Sequence, residues 1–104
     1  MQAPLSGVRI LDLSAVVSGP MATGILADQG AEVIKVETQG GDLTRRVGPI
    51  QGDMTTLFAT INRGKRSIVL DLKQEAARAI LRELAEQADV LVENFRPGAM
   101  QRLG

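Results

Sequence analysis

Cysteine and histidine are both missing from these 104 residues. Without cysteine there is no disulfide, no thiolate nucleophile and no thiolate metal ligand, and without histidine there is no Ser-His-Asp triad and no zinc-finger ligand set. An excess of either charge is missing too. Twelve Lys and Arg balance twelve Asp and Glu, so no overall field draws the chain to nucleic acid or to an anionic membrane, and any anion it binds must be held locally. No apolar run approaches the roughly 20 residues of a membrane-spanning helix. The start, Met1-Gln-Ala-Pro-Leu-Ser-Gly7, has neither the basic region nor the apolar stretch of a signal peptide. A cytoplasmic protein is the expectation, with one domain over 1–104. A chain of this length buries roughly two-thirds of its unfolded surface, enough for one core.

What is present is a series of short apolar runs that end in polar residues. Asp89-Val-Leu-Val-Glu-Asn-Phe-Arg-Pro-Gly98 is the clearest: a strand core at 90–92 gives way to an acid, an amide, an aromatic ring and an Arg before a Pro-Gly stop. Similar runs at 8–13, 32–37 and 67–72 give four expected strands, 89–93 being the last. All deliver polar residues to their carboxyl ends, where open α/β sheets bind ligands. Between them a first helix should open near Pro20, with Ser18 or Gly19 as N-cap, Gly30 just past its end, and a core stripe of Met21 or Ala22, Ile25 and Leu26. Residues 38–55 hold four glycines and a proline without periodicity and suggest a long exposed loop. A helical turn is expected at 57–61. The spacing of Ala77, Ile80, Leu81, Leu84 and Ala88, with Arg78, Arg82, Glu83 and Glu86 opposite, predicts a helix over 74–87 with one face on the sheet. A further helix begins at 98–103. Alternation of strand and helix implies parallel strands joined by right-handed crossovers, an α/β fold.

The candidate ligand-binding residues sit at these strand ends. Ser18-Gly-Pro-Met-Ala-Thr-Gly24 opens a helix after a strand, where backbone N–H groups could take a phosphate, but it matches neither dinucleotide nor P-loop spacing, and simple turn chemistry competes with that role. Gly64-Lys-Arg-Ser67 precedes a strand rather than a helix and suggests a solvated basic turn. Asp71 and Lys73 offer a helix-entry acid and a phosphate-binding cation, or an exposed pair at an element boundary. Asn94-Phe95-Arg96 offers an amide, an aromatic face and a guanidinium suited to a purine and a phosphate, against a packed Phe with solvated neighbours. Asp12, Glu37 and Glu93 are carboxylates at strand ends. None has a partner that marks it as a catalytic acid or base.

Taken together, Pro4-Leu-Ser-Gly-Val-Arg-Ile-Leu-Asp-Leu-Ser14, Gly19-Pro20, Leu26-Ala-Asp-Gln-Gly-Ala-Glu-Val-Ile-Lys-Val-Glu37, Gly41-Asp-Leu-Thr-Arg45, Asn62-Arg-Gly-Lys-Arg-Ser-Ile-Val-Leu-Asp-Leu-Lys73 and Ala88-Asp-Val-Leu-Val-Glu-Asn-Phe-Arg-Pro-Gly98 resemble the amino-terminal portion of the family III CoA-transferases. That group includes formyl-CoA transferase, carnitine CoA-transferase and 2-methylacyl-CoA racemase. The resemblance implies a Rossmann-like parallel sheet with flanking helices, the amino-terminal part of a larger interlocked-dimer fold. It implies coenzyme A as substrate, with no further cofactor, and contacts from Val16, Val17 and Ser18, from Leu70, Asp71, Leu72 and Lys73, from Asn94, Phe95 and Arg96, and from Arg102. The implied chemistry moves coenzyme A between an acyl-CoA and a carboxylic acid by way of a nucleophilic Asp, expected beyond Gly104. The racemase branch of the family, and a non-enzymatic nucleotide-binding or dimerisation module, are the alternatives. Three departures from the family pattern stand out: Val17 where some transferases have Gln, Thr38 where Arg or Pro is usual, and Gln74-Glu75 in place of a Thr-Pro helix entry.

Overall fold

The computed structural model of the chain describes residues 3–103. Met1, Gln2 and Gly104, at the two ends of the domain expected over 1–104, lie outside the described residues. Six strands and four helices follow in the order β1 (Arg9–Asp12), α1 (Ser18–Asp28), β2 (Glu32–Glu37), β3 (Ile50–Gln51), β4 (Met54–Thr55), α2 (Thr56–Ile61), β5 (Arg66–Val69), α3 (Glu75–Gln87), β6 (Val90–Val92) and α4 (Ala99–Leu103). The main sheet has the order β5-β2-β1-β6, and all its pairings are parallel, with Ile10 opposite Val33 on one side and Val90 on the other. The α/β expectation holds, with β1, β2 and β6 within a residue of the apolar runs that predicted them and β5 ending three residues early, at Val69 rather than at 72.

Alternation of side chains along β1 and β2 gives the sheet two unlike faces. On one, Leu11, Leu13 and Val36 form a core with Leu70 and with Leu81 of α3. Ala77, Leu84, Ala85 and Ala88 complete the contact of that helix, while Ile80, expected on the apolar stripe, is 43% exposed at its flank. On the other face, Ile10, Ala31 and Val33 pack with Leu26 and Ala27 of α1. Beyond them, towards the carboxyl ends, the same face carries Asp12, Ser14, Lys35 and Glu37, all buried.

This polar half explains why, of the stripe expected of α1, only Leu26 packs on the core. Pro20, Thr23 and Gly24 face inward, whereas Met21 and Ile25 are 47% and 52% exposed. A helix lying on charged side chains needs a hydroxyl and close approach rather than bulk: a Cβ on Gly24 would stand 2.5 Å from the Ile61 carbonyl oxygen. The helix starts one residue earlier than expected, with Val17 as N-cap and no side-chain cap, and Gly30 takes the expected positive φ after its end. The entry to α3 is also uncapped by its Gln74 side chain, in keeping with the missing Thr-Pro.

Residues 38–55 are not a featureless loop. The Asp42 side chain accepts from the Thr44 N–H and so caps a 3-10 turn, Leu43–Arg46, after which β3 and β4 form a short antiparallel hairpin. The buried Thr55 hydroxyl donates to the Thr44 carbonyl and accepts from the Phe58 N–H, joining the turn to α2. Among the described residues no helix is long and apolar enough to cross a membrane.

Candidate functional site

The polar half-face is a continuous buried network. The Asp12 carboxylate accepts from the Ser14 N–H at 2.9 Å and the Ser14 hydroxyl, from the Thr23 hydroxyl at 2.7 Å and from Lys65 Nζ at 2.9 Å. Lys65 also donates to the Pro20 carbonyl and to Asn62 Oδ1. Its side chain is only 2% exposed, so the solvated basic turn expected at 64–67 is corrected at Lys65, though Gly64 and Arg66 are exposed: the partner of Lys65 lies 53 residues away, beyond anything local charge spacing reveals. Burial pushes the Asp12 carboxyl upward, but the bonds from Ser14, Lys65 and Thr23 outweigh it and hold the group below its ordinary range. Burial likewise pushes Lys65 down, and the Asp12 carboxylate only partly offsets this.

Two further ion pairs extend the network towards the carboxyl ends of the strands. Lys35 and Asp42 pair at 3.0 Å with both side chains 1% exposed. Glu37 accepts from Arg45 Nε and Nη2, each at 2.7 Å, from the Ser67 hydroxyl and from the Asp42 N–H, and Arg45 lies 3.9 Å over the Phe58 ring. Against the upward push of burial, the bonds from Arg45, Ser67 and the Asp42 N–H lower the Glu37 pKa from 4.5 to about 2. Among the described residues no buried side-chain N or O lacks a hydrogen-bond partner.

Above this network lies a cleft of about 280 Å³. Its walls are largely apolar, from Leu13, Val36, Leu70, Leu72 and Phe95, with Val16, Leu43 and Arg46 also in the lining. Of the residues singled out from the sequence, Val16, Leu70, Leu72 and Phe95 meet in it. Val17 and Ser18 continue from Val16 into α1. Asp71 accepts from the Lys73 N–H at 3.2 Å, and Lys73 itself is exposed. Asn94 is engaged with Ala15, its Oδ1 accepting from the N–H at 3.1 Å and its Nδ2 donating to the carbonyl at 2.9 Å. Arg96 and Arg102 are exposed and stand outside the cleft lining. The second-strand loop was missed as a contributor: Asp42, Leu43 and Arg46 reach the cleft because the capped 3-10 turn folds back over β2. The Asp at 42, followed two residues later by Thr, is the signal that a cap could have been expected there. Glu93, weighed as a strand-end carboxylate, accepts from the Phe95 N–H at 2.8 Å.

A cleft at the carboxyl ends of parallel strands, with backbone turns and the exposed Arg46 in its lining, suits a ligand with an apolar or aromatic part and an anionic group. The chain is 53% identical over 104 residues to acetyl-CoA:oxalate CoA-transferase of Acetobacter aceti, covering 99% of this chain and 27% of that protein. It is 48% identical over 103 residues to succinyl-CoA:glutarate CoA-transferase of Homo sapiens, covering 97% and 24% respectively. Among solved structures, that of a CAIB/BAIF family protein from Brucella suis superposes with a TM-score of 0.93 at 39% identity, over 99% of this chain and 29% of that one. The chain thus spans about a quarter of the length of the curated relatives it matches. The pattern described as CoA-transferase family III matches residues 5–104, and with strand-end cleft, fold and sequence in agreement, the chain belongs to that family.

Proposed function

We propose that this chain forms the coenzyme A-binding part of a CoA-transferase, which moves coenzyme A between an acyl-CoA and a carboxylic acid, and that coenzyme A lies along the cleft as a substrate. The observation that carries this is the cleft itself, where Val16, Leu70, Leu72 and Phe95, drawn from three separate strand ends, share one wall-lined space. Phe95 offers a face to adenine. Lys73 and Arg96, exposed next to Leu72 and Phe95 of the lining, and Arg102, exposed on α4, serve the phosphates. The nucleophilic Asp lies outside this chain; in support, the buried Asp12 and Asp42 are each consumed by a lysine. By resemblance to the family, the whole protein acts as a cytoplasmic homodimer.

Titration calorimetry of the protein with coenzyme A, beside Lys73→Ala and Arg102→Ala, tests the assignment. Each variant is expected to bind about tenfold more weakly, the low end of what a charge-assisted hydrogen bond contributes. Identical heats for all three would remove the phosphate assignment. Acyl transfer by the 104 residues alone would show that the catalytic carboxylate is among those described.

A further inference from the structure

The turn between β1 and α1 contains the one non-glycine residue with a positive φ among the described residues, Val16 at 74°. The left-handed region brings Cβ against the backbone and is a genuine outlier for a β-branched side chain. Such a conformation persists only where the surroundings over-determine it. Here three separate elements do so. From the end of β6, Asn94 brackets Ala15, accepting from its N–H and donating to its carbonyl. From the loop after β2, the Asp42 carboxylate accepts from the Val16 N–H at 3.2 and 3.3 Å. From within β2, Lys35 Nζ donates to the Ser14 carbonyl at 3.3 Å and pairs with Asp42 at 3.0 Å. The residues before and at the strained position are therefore tied down by three side chains, two of which, Lys35 and Asp42, are paired with each other. Ser14, Ala15, Val16, Lys35 and Asp42 all border the cleft.

We propose that Asp42, assisted by Lys35 and Asn94, is a positioning residue: it holds Val16 left-handed, so that the 14–17 turn meets the ligand already in its bound shape. The proposal rests on the reading of the cleft as the coenzyme A site. A turn ordered beforehand spares binding the cost of ordering it. The arrangement has a second effect, because the Lys35 ammonium cancels the Asp42 charge at the cleft wall and removes a repulsion that a phosphate ligand would otherwise meet.

A double-mutant cycle tests the clamp. Glycine adopts positive φ without steric cost, so a clamp is needed with valine at position 16 and dispensable with glycine. Asp42→Ala is expected to weaken coenzyme A binding about tenfold in the Val16 protein and about twofold at most when Val16→Gly is also present. Equal losses in the two backgrounds would overturn the proposal. If Asp42→Ala fails to fold around the buried Lys35, Asn94→Ala, whose side chain is exposed and outside that ion pair, takes its place with the same dependence on Val16. A lost ligand contact at Asn94 would instead weaken both backgrounds alike and sink the clamp. Should the unmodified protein show no affinity for coenzyme A, the functional proposal falls, and hydrogen exchange at the Val16 amide decides the clamp by itself. Protection lost in the folded Asp42→Ala or Asn94→Ala protein supports it, and unchanged protection overturns it.

Discussion

The two faces of the sheet are made by the same strands yet are held by different physics. Towards α3, Leu11, Leu13, Val36, Leu70 and Leu81 exclude water from one another, and no single pair is indispensable because burial is non-directional and roughly proportional to area. Towards α1 and α2, the carboxyl half of the face carries Asp12, Lys35 and Glu37, each matched to one partner: Lys65, Asp42 and Arg45. Ion pairs of this kind are poor evidence of net stability, since desolvation offsets their attraction, but removing one member strands the other. The apolar face should therefore tolerate graded change, and the polar face should fail by whole steps.

The sharpest way to break this contrast is Asp12→Ala. It leaves Lys65 buried among the Pro20 carbonyl and Asn62 without a counter-charge, and a loss of about 3–5 kcal/mol in urea unfolding is expected. Adding Lys65→Met should return most of it. A loss no larger than that of a surface substitution would show that the pair is not what holds the face together.

Acid is the next probe. The Glu37 pKa is lowered from 4.5 to about 2 in the folded chain, so its contribution is fully present above the unfolded value and is lost as pH falls through the folded one. A contribution on the order of 3 kcal/mol should disappear between those limits. Measured by denaturant midpoints at successive pH values, this decline should be visibly smaller in Glu37→Gln, and an unchanged slope would refute the assignment.

The apolar face is read by the smallest effects. Leu81→Ala, at the buried centre of α3, should cost about 2–3 kcal/mol. Its neighbour Ile80, though equally apolar in the sequence, should change stability by no more than about 0.5 kcal/mol when replaced by Ala. Equal losses at the two positions would mean that the flank of α3 is covered in solution.

The same contrast separates what the sequence disclosed from what it hid. The central strands β1 and β2 were legible because their apolar residues are buried against helices, β5 and β6 because short apolar runs mark them even at the more exposed edges, and α3 because its packing on the apolar cluster imposes a helical period. Met21 and Ile25 of the α1 stripe were misjudged because the surface beneath that part of the helix is charged, while Leu26, over the apolar part, packs as expected. Lys65 was hidden for a related reason: its buried ion pair with Asp12 is a fact about two distant segments, and neither alone carries a sign of it. Of the residues that border the cleft, Phe95 stood out in the sequence by its position at a strand end, whereas Leu70 and Leu72 were singled out only by the family resemblance. Asn94 stood out beside Phe95, but its bracket on Ala15 spans 79 residues of chain and could not be seen from either end.

That long span has a kinetic side. Strand β1 meets β2 after one short helical connection, whereas β6 must return from the far end of the chain to pair Val90 with Ile10 and Leu91 with Leu11. Closing the longer loop costs more chain entropy, and contacts so distant in sequence form late. The β1-α1-β2 unit should accordingly assemble first and the β6 edge last, with the reverse order on opening. Phe95 and Asn94 travel with that edge, so the aromatic wall of the cleft and the bracket on its strained turn are completed together, in the final act of folding. A ligand seated there would act as a latch on the last strand to arrive, and its signature would be slower unfolding rather than faster folding.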